Sequence, residues 1–182
     1  MRDLKNGGIW VIPTDTIYGI VGSALNSKTV EGIYQLRKRS LDKPFIILIS
    51  SIKDLEMFGI KLTQHQRDFL QSHWPNPLSV ILPISSKNFE YLHRGTESLA
   101  FRMPKDEKLT ELLKQTGPLV APSANFEGRK PSQTLAEAKK YFGNRVDYYH
   151  DSGRISAKPS TLIKLEKNGK FKILREGSFK LN

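Results

Sequence analysis

Pro44-Phe-Ile-Ile-Leu-Ile-Ser50 is the stretch on which the fold turns. Phe45–Ile49 is an unbroken apolar run, rich in β-branched residues and too short for a typical helix. It reads as a central strand. Upstream, Ser27 caps a predicted helix running to about Arg39, with Val30, Ile33, Tyr34 and Arg37 on one face. Before it, Gly8–Pro13 (GIWVIP) reads as a buried strand that the proline closes, followed by a polar loop. Downstream, Ser51 opens a short helix closed by Gly59, and Thr63-Gln-His-Gln opens another by capping-box logic. Leu78–Ile84, Leu99–Met103 and Pro118–Pro122 read as strands, separated by an amphipathic helix from Asp106 to Thr116 that Gly117 stops. Thr134 caps a helix ending near Gly143, and Val146–His150 is a further strand. Thr161–Glu166 and Lys170–Leu174 flank Asn168-Gly169, a hairpin turn signal. Helices alternating with apolar strands, closed by a hairpin, give an α/β domain with a mixed sheet.

The 182 residues contain no repeat, low-complexity tract or linker, so residues 1–182 read as a single domain. The hydrophobic fraction of 38% is enough for a core and excludes wholesale disorder. No apolar run approaches the ~20 residues of a membrane span, and the opening residues show no signal-peptide pattern. The chain has no cysteine, which excludes disulfides, thiolate catalysis and a cysteine zinc site, and makes the cytosol the expected compartment. Lys plus Arg outnumber Asp plus Glu by 29 to 18, a formal charge of +11. That balance favours a polyanionic partner, nucleic acid, nucleotide or acidic membrane; a surplus of lysines that only keeps the protein soluble is the bland reading, and net charge alone does not choose between the two.

Three segments carry candidate chemistry. Pro13-Thr-Asp-Thr-Ile-Tyr-Gly19 follows the first strand and offers hydroxyls, a phenol and a close backbone approach, or an ordinary hydrogen-bonded turn. Arg37-Lys-Arg-Ser-Leu-Asp-Lys43-Pro44 gathers four cations at a helix end. A helix C-terminus favours cations, but four exceed what its dipole needs, and Arg39 and Lys43 can converge on one phosphate chain. Pro122-Ser-Ala-Asn-Phe-Glu-Gly128, beyond a buried strand, presents Ser123 and Asn125. No Walker or Gly-x-Gly-x-x-Gly loop, nucleophile elbow or His-Glu-x-x-His pattern is present.

In order, PTDTIYG (13–19), RKRSLDKP (37–44), WPNPLS (74–79), RMP (102–104), PSANFEG (122–128), PST (159–161) and REG (175–177) resemble the YrdC/Sua5 family, the threonylcarbamoyl-AMP synthases. The resemblance spans nearly the whole chain and implies a single YrdC-like domain, with a twisted mixed sheet, flanking helices and a concave basic face. Ending at Asn182, the sequence resembles the short, bacterial-type form. It departs from the pattern at Arg37 (usually Lys), Ser40 (often Pro) and Glu127 (usually Ser or Thr), and Leu48 stands where many members have His.

The resemblance implies a nucleotidyltransferase that converts L-threonine, bicarbonate or CO2 and ATP to L-threonylcarbamoyl-AMP and pyrophosphate, supplying the t6A modification at position 37 of ANN-decoding tRNAs. It implies that Arg39, Lys43, Ser123 and Asn125 are the catalytic, ATP-holding set, with Arg37, Ser132 and Arg175 as helpers. Thr16, Tyr18, Arg102, Ala121 and Ser160 would surround L-threonine, with Arg102 on its carboxylate. Mg²⁺ would travel with ATP, with no fixed metal site and no permanently bound cofactor. Downstream t6A-transferase proteins, and tRNA or double-stranded RNA, are the implied macromolecular partners; a membrane is not. The alternatives are a non-catalytic double-stranded RNA- or tRNA-binding protein of the same fold, and a carbamoyl-transfer domain of the hydrogenase-maturation type. The former lacks any RRM, KH or dsRBD signature, and the latter lies within much larger chains.

Overall fold

The computed structural model describes residues 2–181. In chain order the strands are β1 (Trp10–Pro13), β2 (Tyr18–Ser23), β3 (Ile46–Leu48), β4 (Leu78–Pro83), β5 (Ser98–Arg102), β6 (Leu119–Val120), β7 (Tyr148–Tyr149), β8 (Thr161–Leu165) and β9 (Phe171–Arg175). The α-helices are α1 (Ser27–Arg37), α2 (Gln64–His73), α3 (Glu90–His93), α4 (Glu107–Thr116) and α5 (Leu135–Phe142). The strands form one mixed sheet in the order β7-β1-β2-β6-β3-β5-β4-β8-β9, with β3 in the middle. The PFIILIS run is thus the central strand, pairing parallel with β5 and antiparallel with β6.

Side-chain alternation along the strands divides the molecule into two layers. One face presents Val11, Ile20, Ile47, Val80, Phe101, Val120 and Ile163, which share a core with Val30 and Ile33 of α1, Leu70 of α2 and Phe142 of α5. The opposite face presents Ile12, Val21, Leu48 and Leu119, which pack against Leu109 and Leu113 of α4. Full burial of each such side chain stabilises the fold by about 1.5–3 kcal/mol. Helix α4 covers only one end of this second face. Beyond it, Ile46, Ala100 and Ile81 lie side by side in register across β3, β5 and β4 and remain partly open. That uncovered stretch of sheet is where a ligand has room.

Two local readings are corrected. The segment after the first strand is not a loop leading to a helix: Tyr18–Ser23 turns back as β2, antiparallel to β1, with Pro13 opposite Tyr18. Its six residues are all buried, so β2 lacks the polar alternation that marks a half-exposed strand. Helix α1 is capped by the Asn26 side chain rather than by Ser27, and stops at Arg37 rather than Arg39. Lys38 adopts a left-handed conformation at φ 50°, and its N–H and that of Arg39 close the last turn on Gln35 and Tyr34. This early stop turns Arg37 inward and frees Arg39 for the following loop. The segment 51–59 forms a 3₁₀ helix over Ile52–Phe58.

After β9 the chain crosses the strand leading into β8. At Gly177 a Cβ would lie 2.2 Å from the Pro159 carbonyl oxygen and 2.4 Å from the Ser160 carbonyl carbon, both backbone atoms. Gly177→Ala is therefore expected to destabilise the protein by roughly 1–3 kcal/mol through overpacking, read as a lower urea midpoint with an unchanged slope.

Candidate active site

A cavity of about 720 Å³ opens over the uncovered sheet face, with Ile46, Ile81 and Ala100 in its lining. That size suits a small-molecule ligand. Three chain segments wall it: the loop after α1, the loop after β6, and the β1–β2 turn together with Arg102 at the end of β5 and the strand ends at Ser160 and Arg175. The Gly19–Ser123 bridge brings the first and third motifs of the sequence together.

In the first wall, the Lys43 carbonyl accepts hydrogen bonds from the Tyr34 hydroxyl (3.1 Å) and from Arg39 Nε (3.0 Å). Phe45 stacks on Tyr34, with ring centroids 4.0 Å apart, and the Arg39 guanidinium lies 5.5 Å from the Phe45 ring centre. The loop is thereby fixed with Arg39 and Lys43 lining the cavity.

The second wall depends on Arg37, which is only 3% exposed. Its Nε donates to the carbonyls of Ser123 (2.8 Å) and Asn125 (3.1 Å), and Nη2 donates to Ser123 Oγ (3.2 Å) and Asn125 Oδ1 (3.4 Å). Burial lowers the guanidinium pKa to about 10, so it remains charged at neutral pH. The Asn125 amide donates to the carbonyls of Phe126 and Arg129, and the Ser132 hydroxyl donates to the Ala124 carbonyl. The Ser-Ala-Asn loop is thus pre-set by its own polar groups. Arg37 serves as its anchor.

In the third wall, Arg102 (4% exposed) pairs with Asp15, with Nη2 2.9 Å from Oδ1. Burial pushes the Asp15 carboxyl up while Arg102 pulls it down, and burial lowers the Arg102 guanidinium pKa. Arg102 Nε has no hydrogen-bond partner among the described residues. Thr16 is anchored through the Thr14 hydroxyl (3.1 Å). Arg175 holds the Ser160 carbonyl (Nη2, 2.9 Å), and the hydroxyls of Ser160 and Ser79 share a hydrogen bond of 2.8 Å.

Ten of the twelve residues expected at the site line this one cavity. Tyr18 and Ser132 do not. The Tyr18 side chain is fully buried, and its hydroxyl donates to the Gly153 carbonyl (2.8 Å) and accepts from the Ser152 N–H (3.0 Å), pinning the loop after β7. Ser132 is spent inside the Ser-Ala-Asn loop. Leu48 is wholly apolar in its surroundings, beneath α4. Sequence reasoning missed Asp15, although a signal existed: an arginine in a buried strand needs a compensating anion, and Asp15 is the acid in the first motif.

Fold and site together define an α/β domain with a partly open sheet face set between fixed cations. The chain belongs to the Sua5/YciO/YrdC family, whose sequence model, described as telomere recombination, matches residues 2–177. It is similar to the threonylcarbamoyl-AMP synthase of Pyrococcus abyssi, 34% identical over 169 residues, 89% of this chain and 48% of that protein. A putative threonylcarbamoyl-AMP synthase of Methanocaldococcus jannaschii is 30% identical over 177 residues, 97% of this chain and 83% of that one. The chain thus spans about half the length of the first relative and most of the second. The crystal structure of P. abyssi Sua5 complexed with L-threonine superposes with a TM-score of 0.86 at 28% identity, covering 96% of this chain and 52% of that one. Escherichia coli YciO, at 21% identity and a TM-score of 0.82, shares the fold. The relatives' common name favours the synthase reading over an RNA-binding module.

Proposed function

We propose that this chain is a nucleotidyltransferase that makes L-threonylcarbamoyl-AMP and pyrophosphate from L-threonine, bicarbonate or CO2, and Mg·ATP. The observation that carries this reading is the division of one cavity into two cationic arms: Arg39 and Lys43 on one side, the buried Arg102 on the other. The first suits a triphosphate, and the second suits an amino-acid carboxylate, for which the Arg102 fork is the natural partner.

In the first step the threonine amine adds to CO2 and loses a proton, giving a carbamate; starting from bicarbonate, water is the additional product. A carbamate oxygen then attacks the α-phosphorus, and the α–β phosphoanhydride bond breaks as pyrophosphate leaves. Two anions meet in this step, so its main requirement is alignment and cationic stabilisation, not a nucleophilic side chain. Arg39 and Lys43 supply charge, while Ser123 and Asn125, held by Arg37, fix the opposite wall. Mg²⁺ enters as part of the ATP substrate. The product passes to the proteins that transfer it to tRNA, in a cytoplasmic setting. No helix among the described residues is long and apolar enough to cross a membrane.

The test is incubation of purified protein with ATP, bicarbonate and L-threonine. Pyrophosphate release that requires both bicarbonate and threonine supports the reading, and its absence from folded protein defeats it. L-threonine is expected to be preferred to L-serine by about 10–200-fold in kcat/KM, since one methyl group is worth only ~1–3 kcal/mol in an apolar pocket. Ala121 and Thr16 supply apolar groups to that cavity. Equal efficiencies for the two amino acids would remove the threonine arm from this wall.

A further inference from the structure

Glu127 lies in the cationic arm itself. Its Oε1 accepts from Lys43 Nζ at 2.8 Å, its Oε2 accepts from the Ser40 N–H at 2.8 Å, and Arg39 Nη1 stands 4.0 Å from Oε1. Two cations and a backbone N–H therefore converge on one carboxylate inside a cavity large enough for a nucleotide. This donor set suits a phosphate group equally well.

We propose that the Glu127 carboxylate occupies a phosphate position in the free protein, and that a polyphosphate enters this arm by displacing it. The inference rests on the reading of the cavity as an ATP site and adds a residue that sets the strength of phosphate binding. The contact is exchangeable because the Lys43 side chain is 55% exposed and that of Glu127 26% exposed, so water screens the pair. A polyphosphate carries several charges to the same donors and replaces the single carboxylate. The backbone need not move in the exchange: the Glu127 N–H is held separately by the Arg37 carbonyl at 2.9 Å. The acid in the other arm behaves differently. The Asp15 and Arg102 side chains are only 5% and 4% exposed, so that pair belongs to the wall and stays. Lys43 holds the Glu127 carboxyl below the usual carboxylate range, so the competing anion is charged at neutral pH. By returning to its place, Glu127 also opposes retention of pyrophosphate.

The probe is inorganic tripolyphosphate, titrated calorimetrically into the full chain without divalent cations at about 0.1 M salt. Glu127→Gln keeps an acceptor for the Ser40 N–H and removes the charge; Glu127→Ser removes the side chain that fills the arm. Both variants are expected to bind tripolyphosphate at least about fivefold more tightly than the parent, because a like charge near the ligand is gone. Tighter binding cannot arise from mere loss of structure. Equal or weaker binding in both variants overturns the proposal, as does failure of parent and variants alike to bind the probe. The assay involves neither threonine nor turnover. Tightening without threonine-dependent pyrophosphate release would therefore defeat the functional reading alone, and turnover with unchanged probe affinity would defeat the Glu127 proposal alone.

Discussion

Arg102→Leu is expected to lower the folding free energy by about 3–5 kcal/mol, because it leaves the Asp15 carboxylate buried without its cation. In a chain of this size that corresponds to a fall in melting temperature of roughly 6–20 °C. Most of the loss should return in the double variant Asp15→Asn/Arg102→Leu, since the penalty lies in the unpaired charge more than in the lost contact. The deficit should also depend on pH. Burial already raises the folded-state pKa of Asp15, and removing Arg102 takes away the interaction that lowers it. Above pH 3.8 the native state then binds more protons than the unfolded state, so the variant's stability falls as pH rises through the raised folded pKa. Urea titrations at pH 5 and pH 7.5 should thus show a smaller gap from the parent at the lower pH (about two pH units apart suffices for the comparison). A variant as stable as the parent at both values would make the Asp15–Arg102 pair an idle contact.

The sheet was legible where one physical signal dominated. The run Phe45–Ile49 announced a central strand because it is rich in β-branched residues, unbroken and too short for a typical helix, and β3 lies in the middle of the sheet. Asp106–Thr116 announced α4 through its spacing, and Leu109 and Leu113 are the residues it buries. β2 was hidden because Tyr18–Ser23 mixes glycines and a serine with apolar residues, and its burial comes from neighbours distant in sequence. The same limit applied at the site. Arg39 and Lys43 could be placed together from a five-residue interval, and they do line one cavity. Arg37 was grouped with them as a helper, yet it faces 86–88 residues along the chain, to Ser123 and Asn125. Whether a cation in a basic cluster points outward or inward depends on where the helix stops, and the left-handed turn at Lys38 decides that here. Tyr18 and Ser132 both carry hydroxyls, but each donates to a backbone carbonyl inside the fold. Residue type alone cannot separate a group that meets a ligand from one that satisfies the loop around it.

Arg39→Ala is expected to reduce threonine-dependent pyrophosphate release by about two orders of magnitude or more, the scale on which loss of a positioned charge-stabilising group acts in a partly desolvated site. The side chain has little structural duty: it is 22% exposed, donates Nε to the Lys43 carbonyl, and approaches Glu127 only to 4.0 Å. The Lys43 carbonyl keeps its second donor, the Tyr34 hydroxyl, so the loop retains its position. Melting of the variant should therefore match the parent to within a few degrees. Ser123→Ala should cost much less, since a neutral hydrogen bond is worth ~0.5–1.5 kcal/mol net, about a twofold to tenfold loss in kcat/KM. Its carbonyl, not its hydroxyl, carries the shorter bond to Arg37, so the anchored loop survives the substitution. Steady-state kinetics with saturating threonine and bicarbonate and varied ATP separate the two. The arginine effect should appear in kcat as well as in the KM for ATP, because charge builds on the leaving pyrophosphate as the α–β bond breaks. A normal rate for Arg39→Ala with parental melting would leave Lys43 as the remaining cation of that loop in the cavity lining, too little charge to stabilise a departing pyrophosphate, and would move the triphosphate arm elsewhere.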